Sequence, residues 1–148
     1  MKSDLPKCAL VPKKMIERTL ASPPAPGKKL LEPLLSFAAA HNLPFNILED
    51  HEVTENDAEV HTQTGDLWHC LEGEVIFVYG GTLTHARTGK KADGTSDRRE
   101  LKGKKINNGT RTILKQGDWL WIPSGQPHQH LCAKTARLII IKIPLGKN

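Results

Sequence analysis

The chain contains 148 residues, carries a formal net charge of +5 at pH 7, and is 38% hydrophobic but only 5% aromatic. This length suits one domain with its own core better than two independent domains. The longest apolar stretch, LLEPLLSFAAA, is far shorter than the roughly 20 residues that span a bilayer, and the N-terminus lacks the apolar core of a secretory signal. We therefore expect a cytoplasmic protein with no membrane partner.

The three cysteines, Cys8, Cys70 and Cys132, are odd in number and include no CxxC spacing. This argues against both a disulfide framework and a thiolate zinc site. We expect reduced thiols that serve mostly as packing atoms.

The N-terminal third of the chain predicts an arm and one short helix. ASPPAPGKK, which begins at Ala21, is a proline-rich connector that should be extended or irregular. Leu30 to Asn42 has Leu and Ala at helical spacing, and Pro33 is tolerated only in the first turn. We expect residues 1–44 to form the arm and helix and to pack on a barrel formed by residues 45–148, as one structural domain overall.

From Phe45 onward the sequence has the texture of successive antiparallel strands. Short runs rich in Val, Ile, Leu, Trp and Thr alternate with Gly, Asn and Asp. Asn108-Gly109 is a hairpin signal, and the glycine of LEGE marks a turn or bulge between strands. With no crossover helices, the pattern predicts an all-β sandwich or closed barrel. The candidate strands are NILEDHEV, AEVHTQT, DLWHCLEGEVIFVYG, INNGTRTILK, DWLWIPS, HQHLCA and ARLIIIKIP.

The excess positive charge is concentrated between Arg87 and Lys115. Turn residues are mixed with basic residues there, which is typical of a solvated loop and hairpin. The alternative is a basic rim that attracts an anionic substrate. We expect no nucleic acid partner, because no recognition helix, zinc finger or aromatic RNA-binding motif accompanies the charge.

Histidines and carboxylates recur at strand positions that share one face. Because side chains alternate along a strand, His128, His130 and Cys132 project to the same side, directly after the rigid corner PSGQP. Glu59 and His61 also share one parity, and Asp66 follows the next turn. The strand of Glu59 and His61 and the strand that Asp66 opens therefore offer a carboxylate, an imidazole and another carboxylate to one region.

These motifs resemble the cupin superfamily of small jelly-roll barrels. Its second motif is glycine, five residues, proline, one residue, glycine, two residues and histidine, which Gly117, Pro123, Gly125 and His128 match in full. Its first motif reads histidine, one residue, histidine, three or four residues, glutamate, six residues and glycine. This chain has Glu59, Val60, His61, four residues, Asp66, six residues and Gly73 instead. The resemblance runs from Asn46 to Pro144 and includes the LEGE turn.

The resemblance implies a cupin-type double-stranded β-helix, a jelly-roll barrel with a short N-terminal helix and arm. It also implies one divalent metal held by His61, Asp66 and His128, with Glu59 in the place of the remaining histidine. Such a set suits Fe(II), which is favoured, but also Mn, Ni or Zn, and leaves positions open for a substrate. The alternative for Glu59 is a catalytic base. Without metal, the acidic residues could be hydrogen-bond partners or substrate ligands.

Other side chains complete the predicted pocket. Gln63, Trp68 and His130 are candidate substrate-binding residues, and His130 could also replace a missing ligand. His69 has the opposite strand parity from Asp66 and should face outward. Trp119 and Trp121 are expected in the core or in a dimer contact.

Three functions remain open on the sequence alone. The first is a metal-dependent enzyme of the dioxygenase, isomerase or lyase type, acting on a small polar or anionic molecule. The second is a non-catalytic cupin that binds or senses a small molecule with weak or no metal. The third is a metal-free epimerase, for which Tyr79 is the only available tyrosine acid. The resemblance also implies a homodimer, with Lys7 to Leu20 as an exchanged strand.

Overall fold

The computed structural model describes residues 5–146 and contains two helices and twelve strands within that range. Residues 1–4 of the predicted arm and residues 147–148 of the predicted barrel lie outside the described residues. The helices are α1 (Lys13–Leu20) and α2 (Leu34–His41). The strands are β1 (Gly27–Leu30), β2 (Phe45–Val53), β3 (Ala58–His61), β4 (Thr64–Glu72), β5 (Glu74–Tyr79), β6 (Thr82–Leu83), β7 (Arg87–Lys90), β8 (Ser96–Gly103), β9 (Ile106–Asn107), β10 (Thr110–Lys115), β11 (Trp119–Ile122) and β12 (His128–Pro144).

Strand β12 organises the barrel, because it takes part in two antiparallel layers. Its C-terminal part lies between β2 and β4, in the order β1-β2-β12-β4-β11. Its N-terminal part lies between β3 and β5, in the order β7-β8-β3-β12-β5-β10. The prediction of an all-β jelly-roll barrel is confirmed.

The sequence predicted two strands, HQHLCA and ARLIIIKIP, where the structure has one. An irregularity in the pairing with β2 lies between Cys132 and Thr135. Because a β-bulge bends a strand without ending it, this strand continues from one layer into the other. The division of the segment into two strands was therefore wrong.

The core lies in two places. Between the layers, buried apolar side chains form the main cluster, whose largest members include Trp68, Phe77 and Leu138. On the outer side of the layer that contains β2, α1 and α2 cover Ile47 through a second cluster that includes Leu34. Among the described helices none is long and apolar enough to cross a membrane.

The predicted helix forms, but it is shorter than expected. Leu30 belongs to β1, where it is paired with Leu48, so the helix starts only after Pro33. Asn42 ends it in the left-handed conformation, with φ of 51°, at the predicted position. Since β1 pairs with β2, part of the predicted N-terminal segment lies in the barrel sheet.

Helix α1 was not predicted, and it replaces the strand expected within Lys7 to Leu20. It begins after Pro12, and Met15, Ile16 and Leu20 pack against the second cluster. Apolar residues at this spacing form a stripe on one face of a helix. The expectation of an exchanged strand is therefore wrong for Lys13–Leu20.

Two predicted turns have different outcomes. Asn108 has a left-handed φ of 57°, but β9 pairs with β6 and β10 pairs with β5, so the flanking strands do not form a hairpin. Gly73 has a φ of 71°, and a Cβ atom there would lie 2.1 Å from the carbonyl oxygen of Thr135. The LEGE glycine is thus required where the chain passes from one layer to the other.

Candidate metal centre and barrel cavity

Two strands bring Glu59, His61 and His128 together. On the paired strands β3 and β12, His128 lies directly opposite Glu59. One ligand atom from each of these three residues lies within 4.8 Å of the other two. Such a group of two imidazoles and a carboxylate is able to hold one metal ion.

Hydrogen bonds from the corner PSGQP, residues 123–127, hold the second predicted motif against the first. The backbone N–H of Gly125, whose φ is 86°, donates to the carbonyl oxygen of His61 at 2.8 Å. The hydroxyl of Ser124 donates to the same oxygen at 3.3 Å. His128 Nδ1 lies 3.2 Å from the carbonyl oxygen of Gln126, so it is placed to donate there and to leave Nε2 for the cluster.

Asp66 completes the cluster from β4. Its side chain is buried, and Oδ2 lies 3.5 Å from His61 Nε2 and 3.4 Å from His128 Nε2. Within residues 5–146 this oxygen has no hydrogen-bond partner. A buried carboxylate oxygen without a partner is costly, and a cation between it and the two imidazoles would satisfy it. Glu59, His61 and His128 therefore fit a divalent metal, and Asp66 offers a further carboxylate oxygen beside the two imidazoles.

Two lysines balance the carboxylates. Lys142 Nζ donates to Asp66 Oδ1 at 2.7 Å and lies 3.3 Å from His61 Nε2. Lys28 Nζ donates to Glu59 Oε1 at 3.2 Å. The sequence analysis missed both. The signal for Lys142 was present, since it has the same strand parity as the buried Leu138 and Ile140. No pattern in the sequence pointed to Lys28, because strand β1 was not predicted.

The charges around the cluster set its protonation states. Burial raises the pKa of Glu59, but Lys28, His61 and His128 outweigh it and lower that pKa to about 2. Burial, together with the charge of Lys142, lowers the pKa of His61 to about 4. Burial also opposes ionisation of Asp66, but the His128 ring 3.4 Å away, together with the hydrogen bond and the charge of Lys142, lowers its pKa. Two carboxylates and a neutral His61 are the forms that bind metal.

A cavity of about 340 Å³ opens beside the cluster. Apolar side chains from β2 and β12 line it together with Glu59, His61 and Asp66. Trp68 Nε1 and Asn46 Oδ1, on two other lining residues, are buried and have no hydrogen-bond partner among the described residues. Two polar groups in the wall of the cavity are thus left without a partner.

His130 lines the cavity but stands apart from the cluster. Its Nδ1 lies 2.5 Å from Oδ2 of the buried Asp50, and its ring packs between Trp68 and Phe77, with centroid distances of 5.3 Å to each. A carboxylate on Nδ1 fixes the ring and leaves Nε2 for a ligand. Asp50 was not predicted, because strand parity alone does not show which residue of β2 meets β12.

The remaining candidates lie at the surface. Gln63 is exposed at the rim, where it borders a second cavity of about 310 Å³ together with Arg99 and Lys142. Trp119 and Trp121 are 56% and 49% exposed, so the core is wrong as their place, and the alternative of a dimer contact stays a prediction.

His69 and Tyr79 lie away from the cavity. His69 stacks on Trp119 on the outer face of the sheet, as its strand parity predicts. Tyr79 packs against the main core and does not line the cavity.

The basic segment is largely exposed and partly paired. Arg87 forms an ion pair with Asp57, and Arg99 pairs with Asp97 at 2.9 Å. Lys102 Nζ lies 3.7 Å from Glu59 Oε1. The segment forms strands β7 to β10, and its charges are solvated except where Lys102 reaches the cluster.

No family model and no curated protein sequence matches the chain. Solved structures that it resembles include a Drosophila melanogaster CENP-C cupin domain, which is 11% identical over 66% of this chain and 55% of that chain, with a TM-score of 0.46. A predicted oxalate decarboxylase from Thermotoga maritima is 18% identical over 80% of this chain and 79% of that chain, with a TM-score of 0.49. HppE with Fe(II) is 17% identical over 67% of this chain and 42% of that chain, with a TM-score of 0.43.

The chain spans 52% to 60% of the length of two CENP-C structures and of the cysteine peptidase Peruvianin-I, which it also resembles. Its own strand pairing, with β12 shared by two antiparallel layers around a cavity, is that of the cupin-type jelly-roll fold.

Proposed function

We propose that this protein is a metal-dependent enzyme that acts on a small polar or anionic molecule in the barrel cavity. His61, His128 and Asp66 hold one divalent metal, and Glu59 is the fourth ligand or the base. The observation that carries the proposal is that His61 and His128, which group with Glu59, both face the unpartnered Oδ2 of Asp66. When bound, Fe(II), or else Mn, Ni or Zn, supplies Lewis acidity for isomerase or lyase chemistry or a redox centre for dioxygenase chemistry.

The cavity residues orient the substrate. Trp68 and Asn46 are part of the cavity wall beside the cluster and shape the space that the molecule occupies. His130, fixed by Asp50, offers Nε2 to the same molecule. Lys28 and Lys142 also line the cavity and attract an anionic group to it. The apolar side chains around them exclude water, which strengthens each polar contact.

Metal analysis of two histidine variants tests the proposal. Protein purified without chelator or a nickel column should hold close to one equivalent of a transition metal. His128→Ala removes a ligand and should lower the metal content at least about tenfold, whereas His130→Ala should leave it nearly unchanged. Equal losses in the two variants would show that the ligand set is wrong.

The second candidate is a non-catalytic protein that binds a small molecule in the same cavity without metal. The pairing of Asp66 with Lys142 and of Glu59 with Lys28 favours it, because each carboxylate already has a cation. Wild-type protein with less than about a tenth of an equivalent of transition metal, unchanged by reconstitution, would overturn the metal-dependent enzyme and favour this alternative.

A further inference from the structure

The ammonium of Lys142 lies beside the two residues, Asp66 and His61, that a metal ion would need. Nζ donates to Asp66 Oδ1 at 2.7 Å and lies 3.3 Å from His61 Nε2. An ammonium has three donors and no acceptor, so the contact with a neutral imidazole uses the lone pair of that nitrogen. Lys142 therefore contacts one ligand atom of the proposed metal centre, His61 Nε2, and the second carboxylate oxygen of another ligand, Asp66.

The strand register places Lys142 there. On the paired strands β12 and β4, Lys142 lies directly opposite Asp66. Cross-strand partners have Cβ atoms only about 5 Å apart, so the lysine stem is long enough to reach past Asp66 to His61. The side chain of Lys142 is 45% exposed, whereas Asp66 is 1% exposed. The ammonium can thus leave for solvent, but the carboxylate cannot.

The other two cations at the cluster are placed differently. Lys28 and Lys102 both approach Glu59 Oε1, at 3.2 Å and 3.7 Å. Within the described part of the chain, Lys142 is the cation that contacts both a carboxylate and an imidazole of the cluster. The arrangement of charges singles out this lysine.

We propose that Lys142 is an internal cation that competes with the divalent metal. Its ammonium holds Asp66 and His61 together in the metal-free protein and moves toward the cavity mouth when a metal binds. This inference rests on the proposed function, in which those two residues hold the metal. It adds that the affinity of the site for the metal depends on Lys142, which is not itself a ligand.

Removal of the charge should act on affinity and stability in opposite directions. A unit charge repels a divalent cation at short range, so an uncharged residue 142 should tighten metal binding. The same change leaves buried Asp66 without its cation, so the metal-free protein should become less stable. A residue with only a structural role would lower stability without strengthening metal binding.

Calorimetric titration with Mn(II) and thermal unfolding of the metal-free full chain test this competition. Lys142→Met keeps the length of the stem and should bind Mn(II) roughly 10- to 100-fold more tightly than wild type. Its metal-free form should unfold at a lower temperature. Lys142→Arg retains the charge and should bind no more tightly than wild type, and exposed Lys90→Met serves as the remote control.

The outcomes separate this inference from the proposed metal centre. If Lys142→Met binds Mn(II) no more tightly than a wild type that does bind it, the competition is overturned and the metal centre stands. If only the variant binds metal, the competition is supported and the native metal enzyme is overturned. If neither protein binds metal, both proposals are overturned.

Discussion

At the scale of single residues, the buried pair of Arg137 and Glu49 links the barrel to the N-terminal segment. Arg137 Nε donates to Glu49 Oε2 at 2.8 Å, Nη2 forms an ion pair with the same oxygen at 2.7 Å, and both side chains are buried. Arg137 also donates to the carbonyl oxygens of Leu20 and Ser22, and Glu49 accepts from the N–H of Ala25 at 3.1 Å. One ion pair thus fastens the end of α1 and the connector that follows it.

Arg137→Met should therefore be strongly destabilising. The substitution leaves the Glu49 carboxylate buried without its main cation, and breaking one partner of a buried pair costs about 3–5 kcal/mol. Urea unfolding measures the change in the free energy of unfolding. The double variant with Glu49→Gln should recover much of the loss, and exposed Arg111→Met is the matched control. A loss below about 1 kcal/mol in the single variant would contradict this account.

At the scale of elements, the two helices are joined through a hydroxyl group. The Thr19 side chain in α1 is fully buried, and its hydroxyl donates to the carbonyl oxygen of Met15 at 2.8 Å. The hydroxyl oxygen of Thr19 also accepts a hydrogen bond from the backbone N–H of Leu34, the first residue of α2, at 3.2 Å. Pro33 provides no side-chain cap for α2, so Thr19 satisfies a helix N–H from another element.

Thr19→Val keeps the shape of the side chain but removes that oxygen. The buried N–H of Leu34 then lacks a partner, which should cost about 1–3 kcal/mol of unfolding free energy. Urea unfolding of Thr19→Val beside the control Thr110→Val, at an exposed strand position, measures this cost. Equal stability of the two variants would mean that the hydroxyl does not couple the helices.

At the scale of the whole molecule, the edge at β11 is the best candidate for contact with a second copy. Among the described strands, β11 pairs only with β4, and it exposes Trp119 and Trp121. An open edge with exposed aromatic residues favours association with another chain. We propose a homodimer through this edge rather than through the N-terminal arm, which forms a helix on its own barrel.

Light scattering at micromolar concentration checks the association. The wild-type protein should show twice the chain mass of 16.4 kDa, and Trp119→Glu should shift it toward the monomer, because a charge at the interface opposes burial. Ile113→Glu, at another exposed apolar position, should leave the dimer intact. A wild-type monomer would remove the proposal.

In the barrel strands, the direction in which a side chain faces was predictable wherever apolar and polar residues alternate clearly. Strand parity alone indicated that Asp66 and Trp68 face inward and that His69 faces outward. The motif spacing named Glu59, His61, Asp66 and His128, which the structure brings into one cluster. Alternation and turn residues are local properties of a strand, so a single sequence contains them.

The amino-acid sequence by itself determined the all-β class, the PSGQP corner and the residues available to bind a metal, because these depend on side-chain alternation and local backbone preference. Only the tertiary structure decided that β12 joins the two layers, that Asp50 holds His130 and that Lys142 contacts Asp66 and His61. Those contacts join positions more than 70 residues apart. They depend on strand register and layer order, which result from the packing of the whole barrel.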